Sequence, residues 1–173
     1  MTEGAVLPTQ AEFHDVIERG ADRWYAACLR ITRNRDLAED ALQDALLNAW
    51  HRRHQFQRSA QLDTWIYRIA VNAALALLRK HRPGRWESLD VDVVDEAATP
   101  EQSRHEEELN SELAIAMQNL SDIERVCFVL KHIEQWRLRE IAAELETSVD
   151  TIKQAVFRAV KKLRVHMADR RSA

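Results

Sequence analysis

Signals that start a helix recur along this sequence, while the residues that interrupt a helix are scarce. Side chains that cap a helix N-terminus stand three residues before a carboxylate or an amide at five places: Thr9 and Glu12, Asp36 and Glu39, Thr99 and Gln102, Ser121 and Glu124, and Thr147 and Asp150. The 173 residues include only 3 glycines and 3 prolines, and usual frequencies are about 7% and 5%. Apolar residues follow these caps at helical spacing, without the alternation of a strand. The sequence therefore predicts an all-α fold.

Charged side chains are unevenly distributed, although the formal net charge is only -3. Residues 1–82 carry 12 basic and 10 acidic side chains, residues 83–112 carry 2 and 10, and residues 113–173 carry 11 and 8. An acidic segment between two mildly basic ones is typical of a linker that joins two modules, each able to bind a polyanion.

This distribution predicts two small helical domains joined by a flexible acidic linker. The first domain covers residues 1–82, the linker and the start of the next helix cover residues 83–110, and the second domain covers residues 111–173. Pro83 and Gly84 end the helices of the first domain. The predicted helices lie near residues 10–19, 21–33, 37–53, 64–81, 100–119, 122–134, 138–145 and 149–168.

The sharpest local pattern is a pair of helices near the end of the chain. A short apolar face, formed by Leu138, Ile141, Ala142 and Leu145, precedes a turn at residues 146–148. The next helix carries polar and cationic side chains beside its apolar stripe, namely Lys153, Gln154, Phe157, Arg158, Lys161, Lys162 and Arg164. A helix-turn-helix with a cationic second helix is typical of proteins that bind duplex DNA. A solvated helix of an ordinary bundle has the same spacing, so the spacing alone leaves both interpretations open.

A second basic surface lies on the helix predicted before Pro83, because residues 64–82 contain no acidic side chain. Its cations are Arg68, Arg79, Lys80 and Arg82. Trp65 can stack on an unpaired base and Asn72 can bond a base edge, so this helix has the groups that bind single-stranded DNA. Core packing is an equally good interpretation of Trp65.

The helix predicted at residues 37–53 carries an acidic and amide stripe opposite its apolar face. The stripe consists of Glu39, Asp40, Gln43, Asp44 and Asn48, and most such stripes are solvated surfaces. Nowhere does the sequence contain a Ser/His/Asp arrangement or a Gly-rich phosphate loop. We therefore expect no enzymatic activity and no cofactor.

The remaining reactive side chains predict neither a metal site nor a disulfide. Cys28 and Cys127 lie far apart without a metal-binding spacing, which indicates buried thiols. His51 and His54 have no third ligand in reach. The sequence begins without a secretory signal, and its longest apolar stretch, residues 69–78, is too short to cross a bilayer. We expect a cytoplasmic protein.

Three segments carry a family resemblance when they are taken in order. They are AEDALQDALLNAW at residues 38–50, DTWIYRIAVNAAL at residues 63–75 and REIAAELETSVDTIKQAVFRAVKKLR at residues 139–164. The sequence resembles the extracytoplasmic-function (ECF) sigma factors of bacterial RNA polymerase over roughly residues 20–82 and 113–166. The resemblance implies an alternative sigma factor of two domains that binds core RNA polymerase, directs it to specific promoters and melts DNA.

The resemblance also implies protein partners. Asp40, Gln43, Asp44 and Asn48 match the residues that dock on the β′ clamp helices of core RNA polymerase, and the β subunit is a further contact. Members of the family are commonly held inactive by an anti-sigma factor, so such a partner is implied here. No small-molecule substrate and no membrane insertion are expected.

Two DNA-binding sites follow from the same resemblance. The residues matched to the minus-ten element, including the loop that holds a flipped base, are Arg58, Ser59, Trp65, Arg68, Asn72, Arg79 and Lys80. The residues matched to the minus-thirty-five element are Thr151, Lys153, Gln154, Phe157, Arg158 and Lys161.

The sequence departs from the family at three positions where glycine is usual. Gln135 and Glu146 stand at such positions around the helix-turn-helix, and Arg58 stands in the flipped-base loop. Because glycine adopts backbone conformations that strain other residues, we expect these turns to be altered or slightly strained. If Arg58 adds a phosphate or base contact, its replacement by glycine changes the minus-ten preference.

Two other classes of function compete with the sigma interpretation. A stand-alone helix-turn-helix regulator binds duplex DNA without polymerase, usually as a dimer. A helical adaptor binds acidic proteins and never DNA. The acidic stripe together with the loop before Trp65 favours the sigma interpretation, because neither rival needs both features.

Overall fold

The computed structural model describes residues 7–58, 60–81 and 109–171. These residues form α helices and turns without a β strand, which confirms the predicted all-α class. The chain divides between residues 82 and 83 into two compact units, called unit 1 and unit 2 below. The predicted acidic linker and the predicted cap at Thr99 lie outside the described residues.

Unit 1 is built from three helices that pack against one another. Helix α1 covers Gln10–Thr32, α2 covers Arg35–His51 and α3 covers Leu62–His81, with a short 3-10 turn at Arg53–Gln55 between α2 and α3. Large fully buried side chains on α1 and α3 meet a row of buried alanines on α2, and these core residues are Trp24, Ile31, Ile66, Leu75, Leu78, Ala38, Ala41, Ala45 and Ala49. The small side chains of α2 let the three helices approach closely.

Helix α1 passes through Gly20 without interruption, so the prediction of two helices at residues 10–19 and 21–33 is wrong. A Cβ atom at position 20 would lie 2.4 Å from Cζ2 of Trp24. Glycine is required there because the indole ring, which is fully buried, lies against the helix backbone. The helix ends at Arg33, whose φ of 51° places it in the left-handed region.

In unit 1 the N-terminal cap of α1 agrees with the sequence prediction, and the cap of α2 does not. Thr9 and Glu12 form the predicted capping box of α1. The predicted cap at Asp36 is wrong: Asn34 caps α2, and its side chain accepts a hydrogen bond from the backbone N–H of Leu37 at 3.0 Å. Both residues are good cap formers, and Asp36 instead lies in the first turn of α2.

Unit 2 contains three short helices and one helix of 23 residues among its described residues. Helix α4 covers Leu109–Met117, α5 covers Asp122–Phe128, α6 covers Leu138–Glu144 and α7 covers Val149–Arg171. Helix α5 continues as a π-helical segment at Val129–Ile133, which the spacing of apolar residues does not distinguish from an α helix. Helix α7 contacts α4, α5 and α6, so it organises the unit.

The two turns around α6 contain non-glycine residues in the left-handed region. Gln135 has a φ of 59° and Glu146 has a φ of 52°, as expected at two of the positions where glycine is usual. Arg58, the third such position, is not among the described residues with a positive φ. Ser121 and Glu124 form the predicted capping box of α5. The predicted cap at Thr147 is wrong by one residue, because the Ser148 hydroxyl accepts the backbone N–H of Thr151 at 3.1 Å.

Candidate functional site

The outer surface of α2 displays the four residues predicted to dock on polymerase. Asp40, Gln43, Asp44 and Asn48 are all exposed, because the buried alanines occupy the opposite side of the helix. Leu47 lies beside them and is 60% exposed. The result is an acidic and amide surface with one large apolar side chain in it, here called the α2 stripe. Sequence reasoning did not single out Leu47, although a leucine inside a polar stripe is a readable signal.

The basic side of α3 contains the residues predicted to bind the minus-ten element. Arg68, Asn72 and Arg79 are half-buried, and Lys80 is exposed. Oδ1 of Asn72 is shielded from solvent and accepts no hydrogen bond. A buried amide oxygen without a donor is uncommon, and this oxygen is left able to accept a hydrogen bond.

Trp65 combines the two interpretations that the sequence left open. Its ring is half-buried and packs against the buried ring of Phe56, with 5.5 Å between the ring centroids. Phe56 precedes the loop that connects to α3. Trp65 therefore takes part in core packing and also keeps part of its surface accessible.

The loop before α3 is tied to the start of α1 through Arg58. Both terminal nitrogens of its guanidinium donate to Oε1 of Glu12 at 3.3 Å. The side chains of Arg58 and Glu12 remain 49% and 44% exposed. Ser59, the next predicted residue, lies outside the described residues. Sequence reasoning recognised Glu12 only as part of a cap, because its contact with Arg58 crosses 46 residues of chain.

The charge of Glu12 is stabilised by three groups. The backbone N–H of Thr9 is the main cause of a lowered pKa for Glu12, and the Thr9 hydroxyl and the Arg58 guanidinium act in the same direction. The carboxylate therefore remains ionised near neutral pH and can hold Arg58 by charge as well as by hydrogen bonding.

The exposed side of α7 gathers most of the residues predicted to bind the minus-thirty-five element. Lys153, Gln154 and Lys161 are exposed, and Phe157 is 68% exposed. Thr151 is half-buried and lies within 2.9 Å of the Ser148 hydroxyl at the start of the helix. A shallow surface depression of about 370 Å³ is lined by Lys153, Gln154, Phe157 and Arg158.

Arg158 differs from the other predicted residues of α7 because it faces a carboxylate of its own unit. Its side chain is 32% exposed, and its Nε lies 3.7 Å from Oε1 of Glu124, which is almost fully buried. Lys162 donates from Nζ to Oε2 of the same carboxylate at 3.0 Å. Sequence reasoning missed this cluster because it depends on how α5 packs against α7.

Both cysteines are buried, as predicted, and they are not bonded to each other. Burial raises the pKa of the Cys127 thiol to about 12, and the charge of Glu124 adds to this effect. The thiol of Cys28 donates to the backbone carbonyl of Ala70 at 3.5 Å. Because thiolate is the reactive form, Cys127 is a poor nucleophile in the folded protein.

The described residues contain neither a cluster of metal-binding side chains nor a membrane-spanning helix. Across residues 7–58, 60–81 and 109–171, no three His, Cys, Asp or Glu side chains cluster in a way that could hold a metal ion. Among the helices of those segments, none is long and apolar enough to cross a membrane.

Comparison with protein families gives one match in each unit. Residues 9–83 match the Sigma-70 region 2 family, and residues 112–163 match the Sigma-70 region 4 family. The α2 stripe and the basic side of α3 lie within the first match. The exposed side of α7 lies within the second match.

Curated relatives align with nearly the whole chain. The chain is 29% identical over 170 residues to the ECF RNA polymerase sigma factor SigW of Bacillus subtilis, and covers 91% of that protein. It is 31% identical over 156 residues to the RNA polymerase sigma factor CarQ of Myxococcus xanthus, and covers 88% of it. The chain spans 63% of the longer ECF sigma factor SigE of Mycolicibacterium smegmatis, at 29% identity.

A solved structure shares the fold. The sigma factor RpoE of Bartonella quintana, crystallised with the anti-sigma factor NepR, superposes with a TM-score of 0.62 at 23% sequence identity. The match covers 91% of this chain and 97% of RpoE.

Proposed function

The chain belongs to the ECF sigma factors of bacterial RNA polymerase, transcription initiation factors that direct the polymerase to promoters, and we propose that its two units divide this task by residue as follows. The observation that carries the proposal is the order of the two family matches, each of which contains an exposed polar or charged helix face. Unit 1 binds polymerase and the minus-ten element. Unit 2 binds the minus-thirty-five element.

The α2 stripe is the proposed docking surface for the β′ clamp helices. Two carboxylates, Asp40 and Asp44, provide charge that attracts a basic partner, and Gln43 and Asn48 provide hydrogen bonds. Leu47 provides an apolar contact that loses its water on docking. Because these groups lie on one rigid helix, docking needs little rearrangement of the chain.

The basic side of α3 and the loop before it form the proposed minus-ten site. Cations bind the phosphate backbone, and the accessible part of Trp65 stacks on an unpaired base. Holding a flipped base costs a few kcal/mol of lost stacking and pairing, which contacts in a pocket offset. The proposed site consists of Arg58, Ser59, Trp65, Arg68, Asn72, Arg79 and Lys80.

The N-terminal half of α7 is the proposed minus-thirty-five site. Exposed Lys153 and Lys161 are suited to phosphates, Gln154 to base edges and Phe157 to the methyl group of thymine. Thr151 and Arg158 border the same surface.

The proposal includes a cellular location and a further protein partner. The chain acts in the cytoplasm, where its polymerase and its promoters are. It performs no covalent chemistry, since core polymerase supplies catalysis. An anti-sigma factor is a proposed partner, which the RpoE–NepR complex of a protein with the same fold supports.

Co-purification of the full chain with bacterial core RNA polymerase tests the proposal. We expect a stoichiometric complex that elutes with core polymerase in gel filtration. Binding to duplex DNA without any affinity for polymerase would instead identify a stand-alone regulator. Binding to neither would favour the adaptor, and each of these two results contradicts the proposal.

A further inference from the structure

The cations of α7 fall into two groups with different surroundings. Lys153, Lys161 and Arg164 are exposed. Arg158 and Lys162 are half-buried and stand four residues apart, so they lie one above the other on a single side of the helix. That side faces α5, and the carboxylate of Glu124 lies there.

The carboxylate of Glu124 is held in place by its own helix cap, independently of the cations of α7. Its Oε2 accepts the backbone N–H of Ser121 at 3.1 Å as part of the capping box, and the residue is only 3% exposed. Lys162 donates to this oxygen at 3.0 Å, and Arg158 approaches the other oxygen at 3.7 Å. Nε and Nη2 of Arg158 are shielded from solvent without a hydrogen bond, so the charge of Glu124 is what offsets the buried edge of this guanidinium.

A cation held in this way is a poor ligand for a DNA phosphate. Drawing Arg158 and Lys162 away would leave the buried charge of Glu124, whose side chain is only 4% exposed, uncompensated, and this is unfavourable. A surface pair behaves differently because water and salt screen it. Lys153 illustrates the contrast: it pairs with Asp150 at 3.6 Å, but the two side chains are 59% and 85% exposed. A phosphate can therefore replace Asp150 more easily than it can replace Glu124.

We propose that Glu124 is an affinity-determining residue of unit 2, an internal carboxylate that competes with DNA phosphates for Arg158 and Lys162. The electrostatic part of DNA binding then comes from the exposed cations Lys153, Lys161 and Arg164. This inference rests on the proposed function, in which α7 binds duplex DNA. It gives Arg158 a different role from the other residues of the minus-thirty-five site.

The test compares the salt dependence of DNA binding for the full chain and its Glu124→Gln variant. Glutamine is the other residue found at this position of capping boxes, so the helix cap is kept while the charge is removed. The probe is a fluorescent 30-base-pair duplex of random sequence, titrated at several salt concentrations. Each additional cation on a phosphate steepens the slope of log K against log salt by about 0.9.

We expect E124Q to bind this duplex more tightly at low salt, with a slope steeper by about 0.9 to 1.8 as one or both cations are released. The matched control is E140Q. Glu140 also caps a helix of unit 2, accepting the backbone N–H of Arg137 at 2.8 Å, and the substitution changes the net charge equally. A slope for E124Q equal to that of E140Q overturns the inference.

Arg158→Gln and Lys162→Gln provide a second test that leaves Glu124 in place. In the wild-type background we expect each variant to change the slope by well under about 0.9. Lys161→Gln, by contrast, should reduce the magnitude of the slope by about 0.9. In the E124Q background at least one of R158Q and K162Q should reduce the magnitude of the slope by about 0.9. Equal effects in both backgrounds contradict competition by Glu124 but leave DNA binding by α7 intact. If no variant binds the duplex at about 20 mM salt, where charges are weakly screened, both competition by Glu124 and DNA binding by α7 are overturned.

Discussion

Helices α2 and α7 both carry a proposed binding face, but the two faces differ in how they contact the rest of their unit. The polar face of α2 is exposed along its length, and the buried side chains of this helix are all alanines. The cations of α7 are divided between solvent and the buried carboxylate of Glu124. The α2 stripe is therefore fully accessible to a partner, as its sequence pattern predicts. On α7, by contrast, the cations Arg158 and Lys162 already pair with Glu124 inside the unit.

The comparison shows which property of a helix is local and which is not. The side on which a residue lies follows from the helical repeat. Whether a charged side chain already has an ion-pair partner depends on groups elsewhere in the chain. Arg158 pairs with Glu124, and Arg58 pairs with Glu12. Counting cations on a helix therefore overstates its attraction for DNA.

The largest effect is expected when the α2 stripe is reversed in charge. The double variant D40K/D44K should lose core polymerase binding by a hundredfold or more, about 3 kcal/mol, because like charges then face a basic partner. The fold should be unchanged, since both side chains are exposed. Fluorescence anisotropy of labelled protein with core polymerase measures the loss.

A charge-matched control for this variant is available on α1. Asp15 and Asp22 are exposed as well, and D15K/D22K makes the same change in net charge. We expect this control to bind core polymerase within about twofold of wild type. Equal losses for the two double variants would mean that overall charge matters rather than the α2 stripe.

The packing of α1 in unit 1, which supports the α2 stripe, can be destabilised by a substitution at Gly20. A Cβ there would lie 2.4 Å from the buried indole of Trp24, and overpacking typically costs about 1–3 kcal/mol. We expect G20A to lower the free energy of unfolding of unit 1 by about 1–2 kcal/mol, since alanine regains part of the cost through helix propensity. Urea unfolding followed by circular dichroism measures the change.

Trp24→Phe separates the clash from other effects of the alanine. The atoms that the new Cβ would meet belong to the six-membered ring of the indole. We expect the cost of G20A to be smaller in the W24F background, which appears as a favourable coupling energy in a double-mutant cycle. A G20A protein as stable as wild type would contradict the packing described for α1.

Unit 2 should respond to glycine in the opposite direction. Glu146 has a φ of 52°, and such a conformation costs an L residue roughly 1–2 kcal/mol. We expect E146G to stabilise unit 2 by about 0.5–1 kcal/mol after the larger chain entropy of glycine is included. The midpoint of urea unfolding reports this gain.

Gln135 provides a weaker version of the same test, because Q135G also removes the hydrogen bond from Nε2 to the carbonyl of His132. As the control, Gln154→Gly in the second turn of α7 should cost about 1 kcal/mol. Destabilisation by all three glycines would show that the two turns carry no strain.

The smallest energetic effect is expected at Arg58. R58G removes the pair with Glu12, and because both side chains are about half exposed, the loss of this pair has only a small effect on the free energy of unfolding. Its minus-ten preference should nevertheless change, because Arg58 lies in the proposed flipped-base loop. Selection of promoters from a randomised minus-ten library measures this preference.

Glu12→Gln tells the two roles of Arg58 apart. It breaks the charge pair, keeps the capping box and leaves Arg58 in the loop. If Arg58 contacts DNA, E12Q should select the same bases as wild type while R58G does not. Identical selection by wild type and R58G would remove Arg58 from the DNA site.

Much of the fold follows from local sequence, and the exceptions have physical reasons. Capping boxes at Thr9 and Ser121 were predicted because both partners lie within one turn. The break predicted at Gly20 is wrong because a distant core, built around Trp24, demands a small residue inside a helix. Asn34 rather than Asp36 caps α2 because two good caps compete within three residues.

The residues of the proposed sites divide in the same way. Exposure of Asp40 and Asp44 could be predicted from helical spacing, since the alanines on the other side mark the core. The half-burial of Trp65 could not, because it depends on Phe56 in the preceding loop. Glu124 lies 34 residues from Arg158 and 38 from Lys162, and no local pattern reports such a contact.

Transcription by reconstituted holoenzyme tests the division of labour between the two units most directly. Core polymerase loaded with the full chain would transcribe a pool of randomised promoters, and the starts would be sequenced. We expect transcripts whose templates share two separated elements, with substitutions on α3 altering only the downstream element and substitutions of Lys153, Gln154 or Phe157 altering only the upstream one. Transcription from templates without two shared elements, or a change in both elements from substitutions in one unit, would contradict it.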